Sequence, residues 1–423
     1  MPDAEAPFPG PVPPRSLLII VPNSLRVGGG QEQDILDLAP KLSGASFRVR
    51  VVDFDSFSRE EPRFSNEAVS KRLGRVARIT VGAVPGVRKL TSIPTPGAAK
   101  RLRDLIASSD VVLACPYYGE DAVVALLARL QGRPLVASQN NTFLHRVPGN
   151  PREALQDAWN RVVGVRILRT LAGVRTVSAD EQATLASFGI TRTRVLYVAS
   201  GAGTAWGERA VPPPSVRPPS PSLPVSGPEL RVLVAGRMTA QKGMATLAEV
   251  LRQLRHRPEG FSRFRFSFVG TRRLPSEIEA IVREAPDRLV NLGFLPTGIS
   301  DAFLQSDVLL MPSLYESLGV TAIEAIRFGV PVIASNVSGL REVVRPGETG
   351  WLASPQKPGE FVAALDQCLA LKATDPARWE GFRAQCRDAY ERRFGPAVVE
   401  SQFAGFVEWL RNLAGNSPRE SSG

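Results

Sequence analysis

The chain has 423 residues, of which 43% are hydrophobic and 22% charged, and its formal net charge is +11. At about 100–200 residues per domain this length implies two or three domains, and no apolar run approaches the ~18–20 residues of a membrane-spanning helix. Cys115, Cys368 and Cys386 form neither a disulfide framework nor a zinc spacing. His145 and His256 are the two histidines, so an integral membrane protein, a disulfide scaffold and a zinc enzyme are set aside.

Residues 1–15 are Pro-rich and acidic, without the basic start and apolar centre of a secretory signal. They are expected to form a flexible tail. Short β-rich runs then alternate with helical patterns, the signature of parallel sheets with crossover helices. In the first half the expected strands are 16–22, 47–54, 110–116, 133–138, 173–178 and 194–199. QEQDILDLAPKL and GEDAVVALLARL carry apolar residues at helical spacing. Between Ala68 and Arg103 there is no acidic residue, while Lys71, Arg72, Arg75, Arg78, Arg88, Lys89, Lys100, Arg101 and Arg103 are basic. That block suits an anionic membrane surface or a phosphorylated acceptor, or simply a solvated face. Aromatic residues are not interleaved with it, which argues against nucleic acid.

Residues 211–230 hold eight prolines and read as an exposed linker. The alternation restarts with strands expected at 230–236, 264–270, 290–295, 307–313, 331–335 and 349–354. Two long helical patterns close the chain before the polar tail. The fold class is therefore α/β, with two doubly wound, Rossmann-like domains facing across a cleft. The expected organisation is a tail (1–15), an N-terminal acceptor domain (16–208), a linker (209–229) and a C-terminal donor domain (230–395). A helix (396–415) returning toward the N-terminal domain and a disordered tail (416–423) complete it. Ligands of such sheets lie beyond the carboxyl ends of the strands.

Two constellations carry chemistry. LRVLVAG runs into RMTAQKG, placing Arg237 and Lys242 on one strand-end loop, and Gly236 and Gly243 allow close backbone approach. Two cations there suit a diphosphate whose charge grows as it leaves. MPSLYESLGVTAIEAIRFGVPVIAS sets Glu316 and Glu324 on either side of a turn, Ser317–Leu318–Gly319, that opens a helix. The N–H groups of Leu318, Gly319 and Val320 make an anion site at that start. Glu316 is placed to reach a ligand, and Glu324 can accept paired hydroxyls such as those of a ribose.

Together GRMTAQKG, FVGT, VNLGFLP, DVLLMPSLYESLGVTAIEAIRFGVPVIAS, GLREVV and GETGWLAS resemble the donor-binding half of glycosyltransferase family 4, of the GT-B fold, over roughly 230–395. The resemblance implies a retaining transferase that moves a sugar from a nucleotide diphosphate sugar to an acceptor hydroxyl. By position, Glu316 would meet the donor sugar, Glu324 the ribose, Arg237 and Lys242 the diphosphate, and backbone near Gly293–Leu295 the base. RVGGGQEQDILDLAPKL resembles the family's first loop, with Gly29 and Gly30 at the paired-glycine position and Glu32 after them.

The family's usual histidine after the fourth strand is replaced by Gln139, with Asn140, Asn141 and His145 nearby. Ser200-Gly201-Ala202-Gly203 stands where the family has an Asn-Gly-x-Asp turn. These departures touch acceptor chemistry. Asp53-Phe54-Asp55 has the form of a metal-binding Asp-x-Asp but ends the second strand, far from the donor half. Gly28-Gly29-Gly30 is not a dinucleotide fingerprint. No cofactor or metal is expected. Expected partners are the nucleotide-sugar donor, a glycan or lipid-linked acceptor and, through 68–103, an anionic membrane. Localisation is expected to be cytoplasmic, peripheral on the inner face of the cell membrane. An epimerase-like sugar-nucleotide enzyme and a nucleotide-sugar binder without transferase activity remain as alternatives.

Overall fold

The computed structural model of the chain describes residues 14–21, 24–27, 30–45, 47–55, 65–85, 92–114, 120–138, 154, 157–197, 228–270, 273–293, 295 and 299–415. The opening tail, most of the Pro-rich linker, Gly29, Gln139, Asn140, Asn141, His145, Arg88, Lys89, the turn 200–203 and the closing tail lie outside the described residues.

The first half runs β1 (Arg15–Val21), α1 (Gly30–Gly44), β2 (Phe47–Asp55), α2 (Asn66–Leu73), β3 (Ala77–Pro85), β4 (Ser92–Pro94), α3 (Pro96–Ala107), β5 (Val111–Ala114), α4 (Glu120–Leu130) and β6 (Leu135–Ser138). A π-helical turn at Asn160–Gly164 leads into α5 (Val165–Thr170), followed by β7 (Gly173–Thr176), α6 (Ala179–Ser187) and β8 (Thr193–Val195). The strands form one sheet in the order β4-β3-β2-β1-β5-β6-β7-β8. β1 pairs in parallel with β2 and β5, so Ile19 lies opposite both Val51 and Leu113. Leu17 to Val21 are all buried. A continuous apolar run of this kind is what a parallel strand covered on both faces requires.

β3 and β4 were not legible as strands. They fall in the acid-free basic stretch, where Arg78 and Thr80 alternate with Ile79. β4 is three residues long and runs antiparallel to β3.

The second half runs β9 (Leu230–Ala235), α7 (Met244–Arg255), β10 (Phe264–Val269), α8 (Ser276–Glu284), β11 (Leu289–Gly293), α9 (Ile299–Leu304), β12 (Val308–Met311), α10 (Val320–Arg327), β13 (Val332–Ser335), α11 (Ser338–Val343) and β14 (Gly350–Ala353). Helices α12 (Pro358–Thr374), α13 (Pro376–Phe394) and α14 (Pro396–Gly415) complete it. All strand pairs of this sheet are parallel, in the order β11-β10-β9-β12-β13-β14. Side chains alternate between two cores. Val308 and Leu310 join one with Phe264, Phe266 and Phe268, while Leu309 and Met311 join the other with Phe303 and Ile326. Each fully buried side chain of this size contributes about 1.5–3 kcal/mol, which makes the sheet a rigid base for its loops.

The chain divides into two compact units. One holds the described residues up to Ser138, Ile167–Val174 and those from Ala404 on; the other holds the remaining described residues through Phe403. The winding reverses between β1 and β5 in the first sheet and between β9 and β12 in the second. Such switch points leave a crevice at the carboxyl ends of the two flanking strands, where ligands of this fold class bind.

Candidate functional site

The loops that leave β9 and β12 flank the switch point of the second sheet, and they touch. Gly236 (φ 131°) follows the last residue of β9, and a single 3-10 turn, Ala240–Lys242, closes on Gly243. Gly243 has φ 71° and ψ 35° and also opens α7. A Cβ on Gly243 would lie 1.7 Å from the carbonyl oxygen of Pro312. Only glycine therefore lets the two loops close on each other. The Leu314 N–H donates to the Gln241 carbonyl at 2.8 Å, stitching the loops backbone to backbone.

This contact brings the predicted side chains together. The Lys242 ammonium donates to Glu316 Oε1, and Ser313 Oγ donates to the same oxygen at 3.0 Å. The Lys242 and Glu316 side chains are 21% and 9% exposed, so the pair is partly shielded and its attraction exceeds that of a surface salt bridge. The Gly339 N–H donates to the Glu316 carbonyl at 3.1 Å, tying the start of α11 under the turn. A Cβ on Gly339 would stand 2.3 Å from the carbonyl carbon and oxygen of Ser317. Ser313, Gly243 and Gly339 thus belong to the site's frame.

Gly319 (φ 81°, ψ 57°) is the residue before α10. A Cβ there would approach Leu340 Cδ2 at 2.6 Å, so the left-handed turn and the close fit both require glycine. The first-turn amides of α10 lack helical acceptors, so Leu318, Gly319 and Val320 lie at the kind of helix start that can take an anion. Glu324 is buried in the second turn of α10. Arg237 is exposed at the rim.

Gly293, expected to meet the base, has its backbone polar groups occupied internally. Its N–H donates to Asn291 Oδ1 at 2.9 Å and its carbonyl accepts from the Gly270 N–H at 2.8 Å. Gly236, Gly270 and Gly293 end three neighbouring strands, each at positive φ (131°, 115° and 71°). A Cβ on Gly270 would sit 2.4 Å from the Gly236 carbonyl oxygen. Together they form a shelf without side chains beside the Arg237–Lys242 loop. The FVGT segment marks Gly270 as a strand end but carries no sign of this packing against Gly236. Leu295 is half-buried against the apolar core.

In the first unit, Gly30 is the first residue of α1 and Glu32 is buried in its first turn. Asp53 is fully buried. It accepts from Arg78 Nη2 at 2.6 Å and Nε at 3.2 Å, from Thr80 Oγ1 at 3.0 Å and from the Leu25 N–H at 3.3 Å. Its carboxylate thereby anchors the segment that leads to the glycine loop. Among the described residues no group of three or more His, Cys, Asp or Glu is arranged to hold a metal. No described helix is long and apolar enough to cross a membrane.

Comparison with known proteins agrees with this fold. Residues 28–205 match the profile of "Glycosyltransferase Family 4", and residues 229–370 match that of "Glycosyl transferases group 1". Over 198 residues the chain is 29% identical to a putative colanic acid biosynthesis glycosyltransferase of Salmonella typhimurium, covering 45% of this chain and 47% of the relative. It spans less than half the length of the curated relatives it matches. The fold is similar to that of HepE from Anabaena in complex with UDP and glucose, with a TM-score of 0.65, 17% identity, and coverage of 92% of this chain and 99% of that one. It is similar also to a glycosyltransferase of Rickettsia africae, with a TM-score of 0.68, 18% identity, and coverage of 96% and 100%. With both halves matched in order and the fold shared with GT-B structures, the chain is GT4-like, of the GT-B fold.

Proposed function

We propose that the protein is a retaining glycosyltransferase that moves a sugar from a nucleoside diphosphate sugar to an acceptor hydroxyl. The contact of Lys242 with Glu316 at the sheet's switch point carries this reading. It puts a cation for the diphosphate beside a carboxylate for the sugar, next to the amides opening α10. Arg237 at the rim adds a second cation, Glu324 receives the ribose hydroxyls, and the glycine shelf and Leu295 admit the base. Binding of UDP and glucose by the similar HepE supports a donor of this class.

In the reaction the acceptor oxygen bonds to the anomeric carbon as the bond from that carbon to the phosphate oxygen breaks. The acceptor proton passes to an oxygen of the departing diphosphate on the same face. Negative charge grows on that diphosphate, and Lys242, Arg237 and the amides of Leu318 to Val320 stabilise it. Glu316 orients the sugar through its hydroxyls and is not the nucleophile. No step calls for a metal or a cofactor.

The family match favours transfer over the epimerase-like and non-catalytic alternatives. The colanic acid relative supports a glycan acceptor, lipid-linked or part of the cell envelope, met near Gln139, Asn140 and His145. The net charge of +11 favours work at the inner face of the cell membrane. Incubation with a panel of nucleoside diphosphate sugars and envelope-type acceptors, with NMR of the product, tests the reading. An α-linked product from an α-linked donor is expected. Inversion at the anomeric carbon, or isomerised donor without transfer, contradicts it.

A further inference from the structure

The acid-free basic stretch does not form one surface. β1-α1-β2 winds in one direction along the first sheet and β5-α4-β6 in the other. Right-handed crossovers therefore put α1 and α4 on opposite faces. α2 packs on α1 and α3 packs on α4, so the basic residues of α2 and of α3 face different ways. Those around α2 are partly consumed. Arg72 binds Asp37 at 3.1 Å, and Arg78 binds Asp53 and Asn66. On α3 the apolar residues Ala98, Leu102 and Ile106 are buried, while Lys100, Arg101 and Arg103 are exposed. Arg103 meets the neighbouring Asp104 in an ion pair with both side chains at least half exposed, which contributes little.

Beside this basic helix, α4 breaks the usual amphipathic pattern. Val124 and Ala128 are buried toward the sheet. Yet Val123, Leu126 and Leu130 are 39%, 56% and 68% exposed, half of the exposed large apolar side chains among the described residues. Their spacing of three and four puts them in one stripe on the helix. Arg129 is exposed alongside them. An apolar stripe of this kind, rimmed by a basic excess with Asp104 as the acidic exception on α3, has no part in the fold's own core and marks a docking surface.

We infer that the α3–α4 face docks onto the interface of a bilayer rich in anionic phospholipid. Val123, Leu126 and Leu130 enter the boundary between headgroups and acyl chains, and Lys100, Arg101, Arg103 and Arg129 meet the headgroup phosphates. A lipid surface fits better than a second protein chain. Three aliphatic side chains are far fewer than the 20–30 residues a side of a stable protein interface, and the basic rim of α3 and Arg129 complements an anionic layer. Apolar insertion and basic attraction are also two signals that together turn marginal membrane binding into stable anchoring. This inference is independent of the donor reading, because the surface lies wholly within the first unit.

The test is co-sedimentation of the full-length protein, without donor or acceptor, with vesicles of pure phosphatidylcholine and of phosphatidylcholine with about 30% phosphatidylglycerol, a composition chosen to give a negative surface potential. Binding to the anionic vesicles and not to the neutral ones is expected. Each basic residue near such a surface contributes about fivefold in partitioning, so K100E/R101E/R103E should weaken it by at least about 100-fold. L126S/L130S should weaken it by about tenfold or more, with the loss persisting at high salt. K71E/R75E, on the exposed positions beside α2, should stay within about threefold of wild type because that face points away from the bilayer. All three variants change exposed side chains, and their melting curves serve as the folding control. Equal binding to neutral vesicles overturns the proposal. So does a loss in K71E/R75E equal to that in the α3 variant, unaltered binding by L126S/L130S, or a wild-type dimer that L126S/L130S dissociates while vesicle binding is absent.

Discussion

The Lys242 ammonium and the Glu316 carboxylate meet across the switch point of the second sheet, 74 residues apart in the chain. Each therefore holds the other's charge in a partly shielded place. On the proposed reading, a diphosphate at the amides of α10 would compete with Glu316 for the ammonium and release the carboxylate toward sugar hydroxyls. We expect Lys242→Ala and Glu316→Gln each to lower kcat/KM at least about tenfold, the scale of one lost charge-assisted contact in the transition state. Steady-state transfer assays check this, and wild-type rates in either purified variant would refute the assignment.

Gly243 and Gly347 allow the packing constraint to be separated from the conformational one. Both lie at positive φ, 71° and 80°. A Cβ on Gly243 meets the Pro312 carbonyl, whereas one on Gly347 meets nothing within 4 Å. Gly347→Ala should cost about 1–2 kcal/mol, the left-handed penalty alone. Gly243→Ala should cost at least about 3 kcal/mol and abolish nucleotide binding, since the loops after β9 and β12 must part. Urea unfolding of the two variants measures the difference.

Much of this frame was legible in the sequence. The central strands of the second half stand out because each is an apolar run buried on both faces, as at 308–311 and 332–335. The glutamates, the cationic loop and the glycine turn were nameable because strand-end loops carry such residues in order. The direct pairing of Lys242 with Glu316 was not, since it depends on how closely two loops approach, and that is set by Gly243 against Pro312. Gly293 illustrates the same limit. Its place at a strand end was visible, but the hydrogen bond to Asn291 and the one from Gly270 arise from local backbone geometry. β3 is masked in the sequence because charged and polar residues interrupt its apolar pattern, although Arg78 serves Asp53.

Asp53 separates a structural carboxylate from a metal ligand. Its oxygens are engaged by Arg78, Thr80 and the Leu25 N–H. We expect Asp53→Asn to lower stability by about 1–3 kcal/mol, the cost of a weakened buried network. Transfer by the wild type should change by less than about twofold on adding EDTA, since charge on the leaving group is met by side chains and amides. A large loss with EDTA, restored by a divalent cation, would contradict this.

Tyr197 offers a pH test of the second unit. Its hydroxyl donates to Glu342 Oε1 at 2.8 Å, and the other oxygen of Glu342 accepts the Ala179 N–H at the start of α6. Burial, then the negative charge of Glu342 and its hydrogen bond, raise the phenol above its ordinary value of 10.0. The folded state thus favours the protonated phenol. Its contribution is complete below pH 10.0 and is lost as pH rises further, because the unfolded chain ionises first. Stability in urea should fall above that pH, and less steeply in Tyr197→Phe. Tyr390, Cys368 and Cys386, all raised by burial, contribute to the remaining slope.

Hydrogen exchange with and without nucleoside diphosphate tests the grip of the second unit most directly. Saturating ligand should slow exchange at Gly236–Lys242 and at Leu318–Ile323 together, and this protection should vanish in Lys242→Ala. If no nucleoside diphosphate protects those two segments, or if Lys242→Ala is protected as fully as the wild type, the loops after β9 and β12 do not hold a diphosphate.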